Sequence, residues 1–415
     1  MHGSLSIPTG IRLRGADRSM TKKIVAFLLI GVLLLSLPAC KEENKDTHLD
    51  WVFIPSSASV GVLTEDGYYY ERSGILNYAD LATGTSVILC QKPGCKHEYG
   101  LEGAAQCDAE MPTMWMVFGN DTLYNIYRNT LYSRNATGGE LKELGMLAKE
   151  LVEEGISVDV FPLSVSNGYL YYYGSIKETE QTASGGTSSV QVGSCTGRFN
   201  LAQRKDEILL ASRQERSKEG GELIAARENG ILYLHREGLD PKYNWKEMET
   251  KEYMEALYKT TVQIRHLDLT TGETAVLYTT TYGECKTVHA LENGKIYYGG
   301  TYDGGYRTCS YDLNTGKVET VYKGEFSSSY YGKGYWQRSK WLDAKTAEIQ
   351  IYDMNSGKTL PFALSVNYYV VNKSDRGMVM YYNNRSTHNG HYYISHDSLA
   401  DGLQEEDLKF LYSNS

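Results

Sequence analysis

Residues 293–297 read Asn293-Gly294-Lys295-Ile296-Tyr297, and residues 311–316 read Tyr311-Asp312-Leu313-Asn314-Thr315-Gly316. Asn-Gly favours a tight type I′ turn because both residues tolerate a positive φ, and the residues around it are strand formers. In the second stretch, Asp312 can accept hydrogen bonds from the backbone two residues on, while Gly316 can take the left-handed position. Each stretch is therefore a hairpin. Together they predict four consecutive antiparallel strands over residues 287–291, 295–298, 307–312 and 317–322. The first phrase recurs at Asp66-Gly67-Tyr68-Tyr69-Tyr70, Asn167-Gly168-Tyr169-Leu170-Tyr171 and Asn229-Gly230-Ile231-Leu232-Tyr233, and the second at Tyr352-Asp353-Met354-Asn355-Ser356-Gly357. Gly272, Gly316 and Gly357, the glycines of the second turn, lie 44 and 41 residues apart. A four-stranded unit at that period is one blade of a β-propeller.

The first turns of successive blades fall near Gly67, Asn120, Gly168, Gly230, Gly294, Gly334 and Gly377. The expected fold is all-β: seven four-stranded antiparallel blades over residues 51–415, closed between the first and last repeats. A parallel β-helix shares such periods but lacks the hairpin turns. With strands lettered A to D outward, the A–B and C–D turns share one face of the ring, and they look short and formulaic. The long segments are D–A links (91–112 and 146–158) and B–C insertions (175–194 and 237–261), so all four should rise from the other face. Residues 182–189 are rich in Ser, Gly and Thr and read as mobile. The last insertion predicts a short helix with Asn244 as N-cap, Glu247 in a capping box, and Met254, Leu257 and Tyr258 packing down. Loops on a regular scaffold are where function usually sits.

The N-terminus has a different character. Lys22 and Lys23 precede an apolar run of about 14 residues, too short to cross a bilayer core and suited to a signal peptide. The run ends in Leu37-Pro38-Ala39-Cys40, which resembles the lipobox of bacterial lipoproteins. That resemblance implies a signal peptide over 1–39, naturally starting at Met20. It also implies cleavage before Cys40 and a lipid on the Cys40 thiol, followed by a polar tether over 40–50. Two acyl chains suffice for stable anchoring.

Net charge is −9, with 42 basic and 51 acidic residues mixed along the chain, which leaves no basic stripe for a nucleic acid. Tyr occurs 35 times against 8 Phe and 5 Trp. Tyr suits strands that are half wet, hydroxyl outward, so many partly buried sheet faces are expected.

One constellation carries chemistry. Cys90, Cys95, His97 and Cys107 gather four soft ligands within a single long link, and Lys92-Pro93-Gly94 would turn two thiolates toward one point. Three Cys and one His suit a structural, tetrahedral Zn²⁺. A disulfide is the rival in oxidising surroundings, and free thiols are the third reading. His97 does not directly follow Cys95, which argues against haem attachment. The link itself offers few apolar residues to pack, so without a staple it should be mobile. The other cysteines, Cys195, Cys285 and Cys309, are scattered.

The expected inner strands (57–63, 115–118, 160–165, 223–226, 287–291, 327–331 and 366–371) contain no Asp or Glu. Asp159 and Glu222 flank two of them and read as solvated strand-end acids. His289 is the one inner-strand histidine, with no acid partner in view. No nucleophile elbow, zinc-protease helix or phosphate loop is present. Tyr331, Tyr368 and Tyr369 read as blade packing. The candidate ligand-face residues are Tyr243 and Trp245 in the last insertion, with Asp159, Glu222 and His289.

The chain as a whole resembles uncharacterised bacterial surface lipoproteins that join a lipobox to a Tyr-rich propeller with a Cys-x4-Cys-x-His element. The resemblance carries no activity with it. The expectation is a membrane-anchored extracytoplasmic binding module for a glycan, a peptide or an envelope protein. A polysaccharide-active enzyme and an envelope scaffold are the alternatives.

Overall fold

The computed structural model describes residues 51–413 apart from 56–60, 101–105, 114, 182–185, 213–219, 241–242, 244–248, 303, 344–346, 365–367, 375 and 385–387. The described chain forms seven antiparallel sheets, each of four consecutive strands, with a fifth strand added to one. This is the predicted seven-bladed ring. Its turns have the predicted chemistry. Asn293 and Gly294 take φ values of 51° and 72°, and Asn167 and Gly168 of 52° and 78°. Asp312 Oδ1 accepts the N–H groups of Asn314 and Thr315, both at 2.9 Å, and Gly316 takes φ 69°.

The first strand of each blade lines the centre. These inner strands are Val62–Leu63, Met116–Gly119, Ser157–Ser166, Gly220–Arg227, Thr287–Glu292, Ser327–Gly332 and Tyr368–Lys373. Five of them, in blades three to seven, carry a β-bulge whose unpaired residue is Leu163, Ile224, His289, Tyr331 or Val371. A bulge adds twist and re-aims one side chain. In blades three, four, five and seven it lies three residues before the last residue paired across the A–B turn, and in blade six only one.

The extra strand was not legible in the sequence. Val52–Phe53 pairs with the inner strand of blade four, Val52 opposite Ala226, before the chain begins blade one. Ile54 continues the pairing, donating its N–H to Ile224 O at 2.9 Å, and is fully buried. Trp51 sits beneath the Arg227 guanidinium, 4.5 Å from its ring centroid, and edge-on to His266. Two residues are too few to show a strand period.

Blades one and seven close the ring without exchanging a strand. Tyr70 stacks on Tyr412 at 3.6 Å between centroids, and Tyr412 stacks on His391 at 4.2 Å. Asn372 Nδ2 donates to Gly61 O at 2.8 Å, and Arg376 pairs with Glu65. Tyr is less wet than its polarity suggests: Tyr68, Tyr70, Tyr171, Tyr172, Tyr298, Tyr331 and Tyr382 are all fully buried. Some of their hydroxyls find internal partners, Asp206 for Tyr172 and Glu405 for Tyr382, both at 2.8 Å, whereas that of Tyr171 is buried without one. The expected half-wet sheet faces are thus corrected for these residues.

The four long segments hold more structure than expected. Residues 175–194 are not a loop but the distal half of a β-ribbon, Tyr169–Gln181 against Thr187–Asn200, paired out to Gln181 opposite Thr187. The expected mobile stretch therefore lies partly in a strand, with 182–185 outside the described residues. The 146–158 link contains the helix Lys149–Glu153. The 237–261 insertion contains the helix Thr250–Tyr258, with Leu257 buried and Met254 and Tyr258 packed on the core. Its N-cap is Glu249; the expected cap at Asn244 and Glu247 lies outside the described residues. One expectation about the other face fails. The C–D connection of blade seven is long, running from Ser395 to Lys409 through the one-turn segments Asp397–Leu399 and Glu405–Asp407. It buries Leu399 and Leu403, so its length serves the core of blades six and seven.

Candidate functional site

The link between blades one and two begins at Cys90, at the end of the outermost strand Ser86–Ile88. Cys95 donates its N–H to Lys92 O at 3.3 Å, closing the turn that Pro93 and Gly94 favour. Gly94 takes φ 70° and His97 φ 56°, so the chain curls back on itself twice in four residues. The His97 N–H then points at Cys95 Sγ, 3.4 Å away, and Lys92 Nζ reaches Gln106 O at 2.9 Å to draw the far side in. One ligand atom from each of Cys90, Cys95, His97 and Cys107 lies within 4.8 Å of every other. Cys107 Sγ is 3.7 Å from His97 Nδ1. A tetrahedral zinc with Zn–S bonds of about 2.3 Å places its ligand atoms about 3.8 Å apart. The residues fit the ion, His97 would bind through Nδ1, and no S–S bond joins the three thiols. Such a site has four protein ligands and no open position, so it organises structure rather than activating water.

The electrostatics agree with that fit. Burial raises the Cys90 thiol, but the backbone N–H groups of Lys92 and Asp108 and the neighbouring thiols outweigh it and pull Cys90 below the ordinary thiol range. Burial and the adjacent sulfurs push Cys107 up to about 12. A bound cation relieves that tension by displacing protons. Arg134, on the third strand of blade two, was not singled out by sequence. It is 3 % exposed, and its Nη2 donates to Glu110 O at 2.7 Å. Its Nε and Nη1 are buried without a hydrogen-bond acceptor. The charges that act on it include Cys107, Asp108 and Cys90. Three thiolates and one histidine around Zn²⁺ carry a net charge of −1, which a buried guanidinium neutralises.

The second half of the link is held without any ion, which corrects the expectation that only a staple orders it. Ala109 and Met111 are buried. Leu76 N–H donates to Ala109 O at 2.7 Å, and Met111 N–H to Gly74 O at 2.8 Å. What the cluster adds is the fixing of residues 90–97 onto this docked half.

The other candidates do not converge. Asp159 and Glu222 lie inside their strands, not at the ends, so the inner strands do contain acids. Asp159 is ion-paired to Lys177 and Glu222 to Arg236, each on the neighbouring strand of its own blade. Both carboxylates are thus engaged in blade packing. His289 occupies the bulge position that holds Leu163 or Ile224 in other blades, edge-on to Trp336 at 5.4 Å. Burial and the charge of Lys373 hold its pKa at about 4, so it is neutral near pH 7. Tyr243 is half-buried in its loop, while Cys40 and Trp245 lie outside the described residues.

The centre of the ring encloses a cavity of about 680 Å³ between blades one, two, three, six and seven. Its walls include Tyr331, Tyr368 and Tyr369 together with Gln337, Trp341 and Lys373, three residues the sequence reading passed over. Tyr331 is packing, as expected, whereas Tyr369 is 58 % exposed into this space.

The fold and this geometry define a seven-bladed β-propeller with a Cys3His group in its first inter-blade link. No protein-family model and no curated protein matches the sequence. Among solved structures the chain is similar to a puromycin-hydrolysing peptidase of Mycobacterium tuberculosis. The identity is 10 % and the TM-score 0.46, covering 86 % of this chain but only 53 % of that one, so this chain spans about half its length. It is also similar to an oligogalacturonate lyase in complex with manganese, at 12 % identity and TM-score 0.40, covering 66 % of this chain and 70 % of that one. A third is TolB from Acinetobacter baumannii, at 11 % identity and TM-score 0.34, covering 81 % and 76 %. At these scores none of them says what this chain binds or does.

Proposed function

We propose that this protein is an extracytoplasmic binding module, anchored to the membrane through lipid on Cys40, that presents its loop face to a glycan, a peptide or an envelope protein. In this reading a structural Zn²⁺ on Cys90, Cys95, His97 and Cys107 holds the first of those loops in shape. The observation that carries the reading is the convergence of the four ligand atoms within 4.8 Å beside a buried guanidinium with two orphaned N–H groups. Rigid presentation lowers the ordering cost of binding. The engagement of Asp159 and Glu222 in ion pairs favours binding over hydrolysis, since a glycosidase pair needs one free base and one free acid.

Two measurements test it. Radiolabelled fatty acid should enter the wild-type chain and not Cys40→Ala; uptake by the variant overturns the anchor. On a glycan and peptide array, the full chain in detergent should lose its signal when a chelator strips the metal. A signal indifferent to chelation separates the loop face from the cluster.

A further inference from the structure

The central cavity has a charge pattern of its own. Among the described residues that line it none is acidic, and the only charged one is Lys373. Lys373 ends the inner strand of blade seven, beside the A–B turn, and donates from Nζ to Tyr330 O at 2.6 Å. Among the described residues no carboxylate lies within ion-pair distance of it. The side chain is exposed, as expected for a group projecting into an open lumen. An ammonium held there without a counter-ion is a standing site for an anion.

The rest of the wall shows the form of that anion. Tyr369 and Trp341 expose 58 % and 64 % of their surfaces, unusual for rings that border a cavity. Ser164, Ser329, Ser339 and Gln337 supply hydroxyl and amide groups between them and the lysine. Aromatic faces, neutral hydrogen-bonding groups and one cation suit a ring-shaped, hydroxyl-rich ligand bearing a carboxylate. A volume near 680 Å³ is in the range of a drug-sized molecule, and so of a short oligosaccharide. We propose that the channel is a binding site for an acidic saccharide, with Lys373 on the carboxylate and Tyr369 and Trp341 against sugar rings. The site reaches the loop face at Trp341 and Ala347, which flank the B–C connection of blade six, but it does not depend on the zinc reading.

The test uses two trisaccharides that differ only at C6: β-1,4-linked triglucuronate, and cellotriose with hydroxymethyl in place of carboxylate. Titration calorimetry on the full chain in detergent should show triglucuronate binding, with cellotriose at least tenfold weaker. Raising salt should weaken the first and leave the second unchanged. Lys373→Gln should lose tenfold or more for triglucuronate, Lys373→Arg should retain most of it, and Trp341→Ala, a change at an exposed side chain, should weaken it without lowering the thermal midpoint. No binding of triglucuronate at millimolar concentration overturns the proposal. So do equal affinities for the two sugars, or unchanged affinity in a folded Lys373→Gln.

Discussion

His289 shows how one residue's role is set by its backbone. A histidine without an acid partner is what the sequence displays, and the bulge explains why it needs none: its place in the blade is a packing position. The neighbouring strand accommodates it by leaving out a side chain. A Cβ on Gly299 would stand 2.7 Å from His289 Nε2. Gly299→Ala should therefore destabilise the fold by about 1–3 kcal/mol, read by chemical denaturation. The same residue gives the protein an acid limit. His289 and His391 both fall from 6.5 to about 4 because burial disfavours the charged ring. The unfolded chain binds those protons first, so stability is complete above pH 6.5 and is lost as pH falls toward 4. A full shift of that size corresponds to about 3 kcal/mol per histidine. Denaturation midpoints should drop across that window in the wild type, and His391→Gln should flatten the slope. The bulge itself was not legible, because it reverses the in–out alternation midway along the six-residue strand Thr287–Glu292, leaving too few residues on either side to show a period of two.

At the scale of elements, turn chemistry proved the most readable part of the chain. Asn-Gly, Asp-Gly and Asp-x-Thr-Gly fix φ and hydrogen bonds locally, so hairpins could be placed before any packing was known. Segments whose form is decided by distant partners were not readable in this way. The 175–194 insertion carries loop-like Ser, Gly and Thr, yet pairing with its own partner strand extends it as a ribbon. Shortening that ribbon to a tight turn at residues 178–190 removes, among the described residues, mostly exposed surface and should leave the thermal midpoint within a few degrees. The inter-blade link behaves oppositely. Its cysteine and histidine spacing was visible, but Arg134, 27 positions beyond Cys107, reaches it only through blade packing. Arg134→Met should preserve the fold while speeding zinc release, measured with a chelating dye. An unchanged release rate would remove Arg134 from the metal's surroundings.

At the scale of the whole propeller, the described residues form a ring closed by aromatic stacking between its first and last blades, where His391, Tyr412 and Tyr70 lie face to face. Tyr412→Ala removes the middle of that stack and should cost about 3–5 kcal/mol, as truncation of a large buried aromatic does. Limited proteolysis should then begin at blades one and seven. The central claim concerns the Cys3His cluster, since it decides whether the loop face is a built surface. Native mass spectrometry of the full chain with thiol counting tests it most directly. The account predicts one zinc per chain, lost on chelation and absent from Cys107→Ser, with the cluster thiols alkylated only after the metal leaves. A chain without metal and two hydrogens lighter, restored by reductant, would contradict it.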